Sequence, residues 1–354
     1  MLTALTQAGT RALGGARFSL VNLLPTSFLI IFVALLITSG AYTQRQPDPA
    51  KVIDKLGTNP GWSIAAAFGI FLLAVLLRPF QTALVQILEG YWRRWRLIEF
   101  AAGVATERHR RIKNTAEVRQ HQAWANPPND SKFEVVADYA RRTRRVDQIR
   151  RHALAVIGRY PLPEMRDLAD GHRTIVDDRL MPTLLGNVLR DAEDNAGRRY
   201  GLRATVVYPR LYPTLSPKLD AAISQQLDLI DTTSALCIGF AAAALSSLSL
   251  LIRLDRWSIA PLITTTLALL AYRGAVRAAR GYGRLLATAF DLHRFDMLTA
   301  LHYELPRTPA VEANFNKTLS SFLDSKSSAA DRLRGVHYAH PLSPPLVDKA
   351  PGSS

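Results

Sequence analysis

Apolar residues in this chain are not scattered at a helical or strand period. They are gathered into four blocks, residues 20–42, 62–84, 232–252 and 257–276. Each block is near the ~20 residues that a helix needs to cross the hydrocarbon of a bilayer. Inside hydrocarbon every backbone N–H and C=O must be paired within its own segment, so blocks of this length read as membrane-spanning helices. They come as two closely spaced pairs separated by a long polar stretch. The expected fold class is therefore an all-α membrane protein, with four transmembrane helices in two hairpins and a mainly helical cytoplasmic domain between them. Residues 1–96 would hold the first hairpin and the start of a cytoplasmic helix, and 97–229 the cytoplasmic domain. Residues 230–323 would hold the second hairpin and C-terminal cytoplasmic helices, and 324–354 a disordered tail rich in Ser, Ala and Pro.

Charge orients this arrangement. The 44 Lys and Arg exceed the 29 Asp and Glu, and nearly all of the surplus is arginine. Basic residues crowd after the second block (Arg93, Arg94, Arg96, Arg108, Arg110, Arg111) and after the fourth (Arg277, Arg280, Arg284). An excess of this kind next to membrane helices marks the cytoplasmic side. Both termini and the central region are thus expected inside, and both hairpin loops outside. A cleavable signal peptide is the rival reading of the N-terminus, given Arg11, Arg17, an apolar core over 28–37 and Ser39-Gly40-Ala41. The apolar run and the segment before it are longer than that pattern requires, so the first block is expected to stay as a span. The one cysteine, Cys237, lies inside the third block and reads as a small buried hydrophobe. It excludes an intrachain disulfide and a cysteine metal site.

Along the chain, Leu84, Ile87, Leu88, Tyr91, Trp95, Leu97 and Phe100 keep near-helical spacing past the second block. They predict one helix continuing to about Lys113, kinked where Pro79 removes a backbone donor. The fourth block continues alike through Leu285, Leu286, Phe290 and Phe295 to Leu301. The breaker-rich stretch Gln122–Lys132 predicts a loop, and Phe133–Tyr160 a charged helix. A short helical piece is expected after Pro161 and Pro163, then a helix from Met181 to Tyr200 stopped by Gly201. Val206, Val207, Pro209 and Pro213 suggest that 202–211 is extended. Ser216-Pro217 and Thr308-Pro309 signal helix starts, the second leading to a stripe of Val311, Phe315, Leu319 and Phe322.

Few residues in this pattern invite chemistry. Arg78 and Arg273 lie near the cytoplasmic ends of the second and fourth blocks, where they either line an anion path or snorkel to the headgroups. Ala235, Gly239, Ala243 and Ser247 recur every four residues. Such a row lets a second helix approach closely, within the chain or in a homo-oligomer. Gly186-Asn187 interrupts an otherwise good helix, so a close crossing is expected at the glycine and a polar contact at Asn187. No metal, cofactor or catalytic constellation can be assembled: His293 and His302 are nine residues apart, and Gly281-Tyr282-Gly283 lacks the third glycine and the strand of a nucleotide loop. An enzyme is not expected. Asn129 and Asn316 match glycosylation sequons by chance, and Pro341-Leu342-Ser343-Pro344 is a weak proline motif. Arg141–Arg151 is dense enough for nucleic-acid phosphates, but no stacking aromatics interleave it. The anionic cytoplasmic leaflet explains the same charge more simply.

Several short words carry a resemblance: Leu88-Glu89-Gly90-Tyr91-Trp92, the run Pro182–Arg190 with Glu193, Arg199-Tyr200-Gly201-Leu202, and Phe290-Asp291-Leu292-His293-Arg294-Phe295. With them the chain resembles a group of uncharacterised integral membrane proteins from actinobacteria. The resemblance implies an actinobacterial host and a multi-pass protein of the plasma membrane, and no reaction. The functional expectation is a membrane-anchored scaffold or partner-binding component. The alternative is an oligomeric anion channel, since the layout of two hairpins around a helical region is similar to that of bestrophin-type channels, although their signature words are absent.

Overall fold

The structure is a computed structural model and describes residues 24–42, 60–92, 96–121, 132–167, 173–176, 179–253, 256–324 and 338–339. The described chain is mostly helical and divides into two units. One comprises Met1–Ala192 with Ala222–Gly283, the other Glu193–Ala221 with Arg284–Ser354.

In the first unit the apolar blocks become α1 (Leu24–Thr38), α2 (Pro60–Leu77) and α3 (Gln81–Glu89). The later blocks belong to two long helices. These are α8 (Pro217–Ser247), extended by a 3-10 turn to Arg253, and α9 (Ile259–Ala300). The last two are long and apolar enough to cross a membrane, and the bent pair α2–α3 adds a third if it counts as one span. Large side chains such as Leu245, Leu262 and Leu269 stay exposed on α8 and α9, a surface suited to lipid and costly in water. Helix α1 has 15 residues, or about 22 Å at 1.5 Å per residue, short of the ~30 Å hydrocarbon core. It nonetheless packs within the unit. Leu36 and Ala41 form a buried cluster with Leu250, flanked by Phe32 and Trp257. Phe28 meets Phe240 edge to face at 4.7 Å, and the Tyr42 hydroxyl donates to the Ser246 carbonyl at 2.9 Å.

The expected single helix from the second block to Lys113 is broken twice. A 3-10 turn at Arg78–Phe80 separates α2 from α3, and the chain direction changes by 65°. Pro79 supplies no backbone donor there, as its sequence position implied. At Gly90 the backbone turns left-handed, with φ +99°, and its N–H closes α3 on Gln86 and Ile87. The chain re-enters a helix at α4 (Arg96–Gln120), which pairs with α5 (Phe133–Ile157). The stretch after Pro161 and Pro163 is not helical. Strands β1 (Glu164–Asp167) and β2 (Arg173–Val176) pair antiparallel there, Glu164 opposite Val176. Two prolines in three residues keep the chain extended, which suits a strand start better than a helix. The expected loop at 122–131 lies outside the described residues.

Helix α6 (Leu184–Asn195) is shorter than the expected Met181–Tyr200. Gly197, at φ +72°, ends it and starts a 3-10 turn over Arg198–Tyr200, which Gly201 stops at φ +78°. Leu185 and Val188 of α6 pack with Ile230 of α8 and with Ala275 and Ala279 of α9, forming a buried apolar cluster of the first unit.

The second unit holds α7 (Ala204–Leu211), the C-terminal part of α9 and α10 (Pro309–Leu323). The segment 202–211 is helical, not extended: Val207 and Leu211, four residues apart, are both fully buried, and that gain outweighs a proline and two valines. On α10, Thr308 caps the start by accepting from the Val311 N–H. The buried face is Glu312, Asn316, Leu319 and Ser320, whereas Val311 of the expected stripe is 54 % exposed. The stripe shifts because Glu312 and Asn316 find polar partners inside the unit. The tail is not wholly without structure either. Tyr338 stacks on Tyr303 at 5.3 Å, and the Ala339 N–H donates to the His302 carbonyl at 2.8 Å. Residues 325–337 and 340–354 lie outside the described residues.

Candidate functional site

The α4–α5 pair of the first unit offers the most developed surface. Each helix carries six basic and three acidic residues. Three links set its antiparallel register. The Arg150 Nε donates to the Gln120 carbonyl at 2.8 Å, and the buried Lys113 Nζ donates to the Pro161 carbonyl at 3.3 Å. His109 Nδ1 lies 3.0 Å from the Tyr160 hydroxyl. Gln120 is the last residue of α4, yet its partner sits well inside α5. By this register α5 before about Arg150 runs beyond the end of α4, and α4 before about His109 runs beyond the end of α5.

These overhangs keep apolar side chains in the open. Leu97, Phe100 and Val104 project from α4, and Phe133 and Val136 from α5, Phe133 at 86 % exposure. Where the helices do overlap, a groove of about 340 Å³ has a floor of Ile112, Ala116, Ala153 and Val156. Arg108, Arg111, Arg119 and His152 stand around it. Glu107 holds Arg110 at 2.8 Å and Arg111 at 3.3 Å, so part of that charge is neutralised. Burial first, and then Arg108, hold His109 below the usual imidazole range, while burial keeps Tyr160 above the usual phenol range. Both are therefore neutral near pH 7, and the tautomer of His109 sets which partner donates in this hydrogen bond. The arrangement can receive an elongated, amphipathic and acidic surface. It holds no nucleophile paired with a base.

Two further polar junctions are built from the words that carried the family resemblance. In the first unit a Cβ on Gly186 would stand 2.1 Å from the Glu89 carbonyl oxygen, so α6 and α3 cross with no room for a side chain. The Thr183 hydroxyl donates to that same carbonyl at 2.8 Å and accepts from the Gly186 N–H. Asn187 is fully buried. Its Oδ1 accepts from the Met181 N–H at 2.9 Å, and its Nδ2 donates to the Met181 and Thr183 carbonyls at 2.7 Å. The expected polar contact exists, and it serves to anchor the entry to α6. In the second unit Arg294 pairs with Glu312 at 2.7 Å and lies over the Tyr200 ring at 4.0 Å. The Tyr200 hydroxyl donates to Asp291 at 2.7 Å, and the Asn316 Nδ2 donates to the Tyr200 carbonyl at 2.9 Å. Sequence reading treated Asn316 as a chance sequon and missed this role; its helical spacing from Glu312 was the available signal.

The other expected residues are placed as follows. Arg78 opens the turn between α2 and α3, and Arg273 is exposed on α9. Gly239, Ala243 and Ser247 are buried within the chain, and Ala235 is half-buried. Cys237 is buried and unpaired. Thr264, Thr265 and Thr266 each donate back to a carbonyl four residues earlier in α9. Arg141, Arg142, Arg144 and Arg145 are exposed on α5, with Asp138 close to the first two. No group of three or more His, Cys, Asp or Glu suited to a metal ion occurs among the described residues. Neither a protein-family model nor a curated protein nor a solved structure matches the chain.

Proposed function

We propose that the protein is a membrane-anchored, partner-binding component that holds the basic helical pair α4–α5 at the cytoplasmic face. It is embedded through four spans in the plasma membrane of an actinobacterium, with both termini inside. The observation that carries this reading is the stagger of α4 against α5. Two amphipathic overhangs are left with Leu97, Phe100 and Phe133 exposed. Large apolar side chains held open on a well-formed helix lose free energy in water until something covers them. The surrounding arginines select for an anionic cover. A photocrosslinking residue placed at Phe100 or Phe133 in intact cells tests this. A discrete protein adduct at both positions is expected, and adducts to lipid alone would overturn the reading.

A second reading, an oligomeric anion channel, is favoured by the break at Arg78–Phe80. Helices broken inside a membrane tolerate unpaired backbone only where it is buried in protein or lines a watery cavity. Halide flux through the reconstituted protein, measured beside Arg78→Ala, decides it. Flux whose ion preference changes in the variant supports the channel, and its absence from folded protein returns the argument to the anchored platform.

A further inference from the structure

Two openings along α4 join into one trough. The first is the groove between α4 and α5, which runs from Arg108 to Arg119. The second, of about 540 Å³, runs from Phe100 to Arg111 and shares Arg108 and Arg111 with the first. From Phe100 to Arg119 the helix is continuous, ~28 Å at 1.5 Å per residue, or about five turns. Phe100, Val104, Ile112 and Ala116 follow one another at multiples of four residues along the floor. The floor is shallow in side chains: Gly103 has nothing near the place of a Cβ, and Ala116 and Ala153 are the buried bottom between the two helices. Small residues there let a third helix approach to the 8–10 Å of ordinary helix packing. Arg108, Arg111 and Arg119 stand along the rim. Among the described residues the only carboxylate lining the trough is Glu107, already held by Arg110 and Arg111, and no ion pair reaches Arg108 or Arg119.

We propose that this trough receives a single acidic amphipathic helix of a different protein, which completes a three-helix bundle with α4 and α5. The proposal rests on the partner-binding reading above and adds the shape and charge of the partner. Apolar side chains of the incoming helix, three and four residues apart, cover the floor, and Asp or Glu beside that stripe meet Arg108, Arg111 and Arg119. Charge decides against occupants closer to hand. A second copy would bring a basic pair against a basic pair, since α4 and α5 each carry six basic and three acidic residues. Residues 1–23 contain Arg11 and Arg17 and no acidic residue, and residues 325–354 hold Asp331 and Asp348 against Lys326, Arg332, Arg334 and Lys349. Shape decides against a bilayer surface, which is flat and covers convex faces, whereas this floor is set down between two helices.

Fluorescence anisotropy tests this with the full chain in lipid nanodiscs and two labelled synthetic peptides of ~18 residues, the length of the trough. Both contain only Leu, Ala, Gln and Glu in the same proportions. One carries a leucine stripe flanked by glutamates, and the other is shuffled so that no stripe forms. The striped peptide is expected to bind saturably and the shuffled one about tenfold more weakly. Arg108→Gln and Arg119→Gln should each weaken the striped peptide about threefold to tenfold, as loss of one rim charge implies. Ala116→Trp, which fills the floor, should abolish binding, and Arg144→Gln, outside the trough, should leave it unchanged. Should Ala116→Trp fail to fold, the two rim variants carry the test. Equal binding of the two peptides, indifference to both rim variants, or no binding of the striped peptide by folded wild type overturns the proposal. Phosphatidylglycerol in the nanodisc should not change the affinity; loss of peptide binding there would assign the trough to anionic lipid instead. Protein adducts at Phe100 and Phe133 in cells without peptide binding would sink the acidic helix and leave the partner reading standing, whereas adducts to lipid alone would remove both.

Discussion

Gly186 and Gly103 both lie inside helices and face opposite environments. A methyl group at Gly186 would press on the Glu89 carbonyl, a backbone atom that cannot swing aside, whereas nothing lies within 4 Å of a Cβ at Gly103. Gly186→Ala should destabilise the protein by about 1–3 kcal/mol through overpacking. Gly103→Ala should stabilise it by about 0.5–1 kcal/mol, because alanine loses less conformational freedom in a helix. Thermal unfolding of the two variants in one detergent checks the opposite signs. Arg294 and Glu312 make a second case. Their side chains are 16 % and 8 % exposed, between the surface and buried limits for an ion pair. Glu312→Ala should cost about 2 kcal/mol, mostly from stranding the guanidinium between Tyr200 and Phe295. An unchanged denaturation midpoint would show that the pair is solvated in practice.

At the scale of the element, the α4–α5 pair carries its own pH dependence through His109. Because the folded state holds its pKa below 6.5, the unfolded chain binds the proton more readily. The stability it contributes is complete above about pH 6.5 and falls as pH drops from there toward the lowered value. Hydrogen exchange within α4 and α5, corrected for intrinsic rates, should therefore speed up between pH 7 and pH 5. His109→Gln should flatten that change, and an undiminished acid response in the variant would assign it to other groups. Helix identity at this scale was largely legible. The charged helix from Phe133, the start at Pro217, the continuous rod of α9 and the cap at Thr308 all follow local rules of spacing and capping. Residues 202–211 and the strands after Pro163 were not legible. Segments of four to ten residues have preferences too weak to resist what packs on them.

For the whole molecule, the expectation to test is threading. With Cys237 replaced by alanine, a cysteine at Ser258 should react with an impermeant thiol reagent added outside cells. One at Arg144 should react only after the membrane is opened. The reverse pattern would turn the chain over and put the basic pair outside. Labelling of both without permeabilisation would mean that an even number of crossings, or none, separates them.

Composition and the four apolar blocks determined by themselves that this is a mostly helical chain with helices fit for a bilayer, since block length and backbone pairing in hydrocarbon are local matters. They also marked Gly186-Asn187 as a crossing, because two poor helix formers need an outside reason. Only the tertiary structure decided that Glu312 and Asn316 face inward on α10. It alone decided that residues 193–221 share a unit with residues after 283. Those outcomes depend on partners outside the local window, 18 residues away for Glu312 and 116 for Asn316, and burial of a polar or charged group is settled by the partner it finds rather than by its neighbours in sequence.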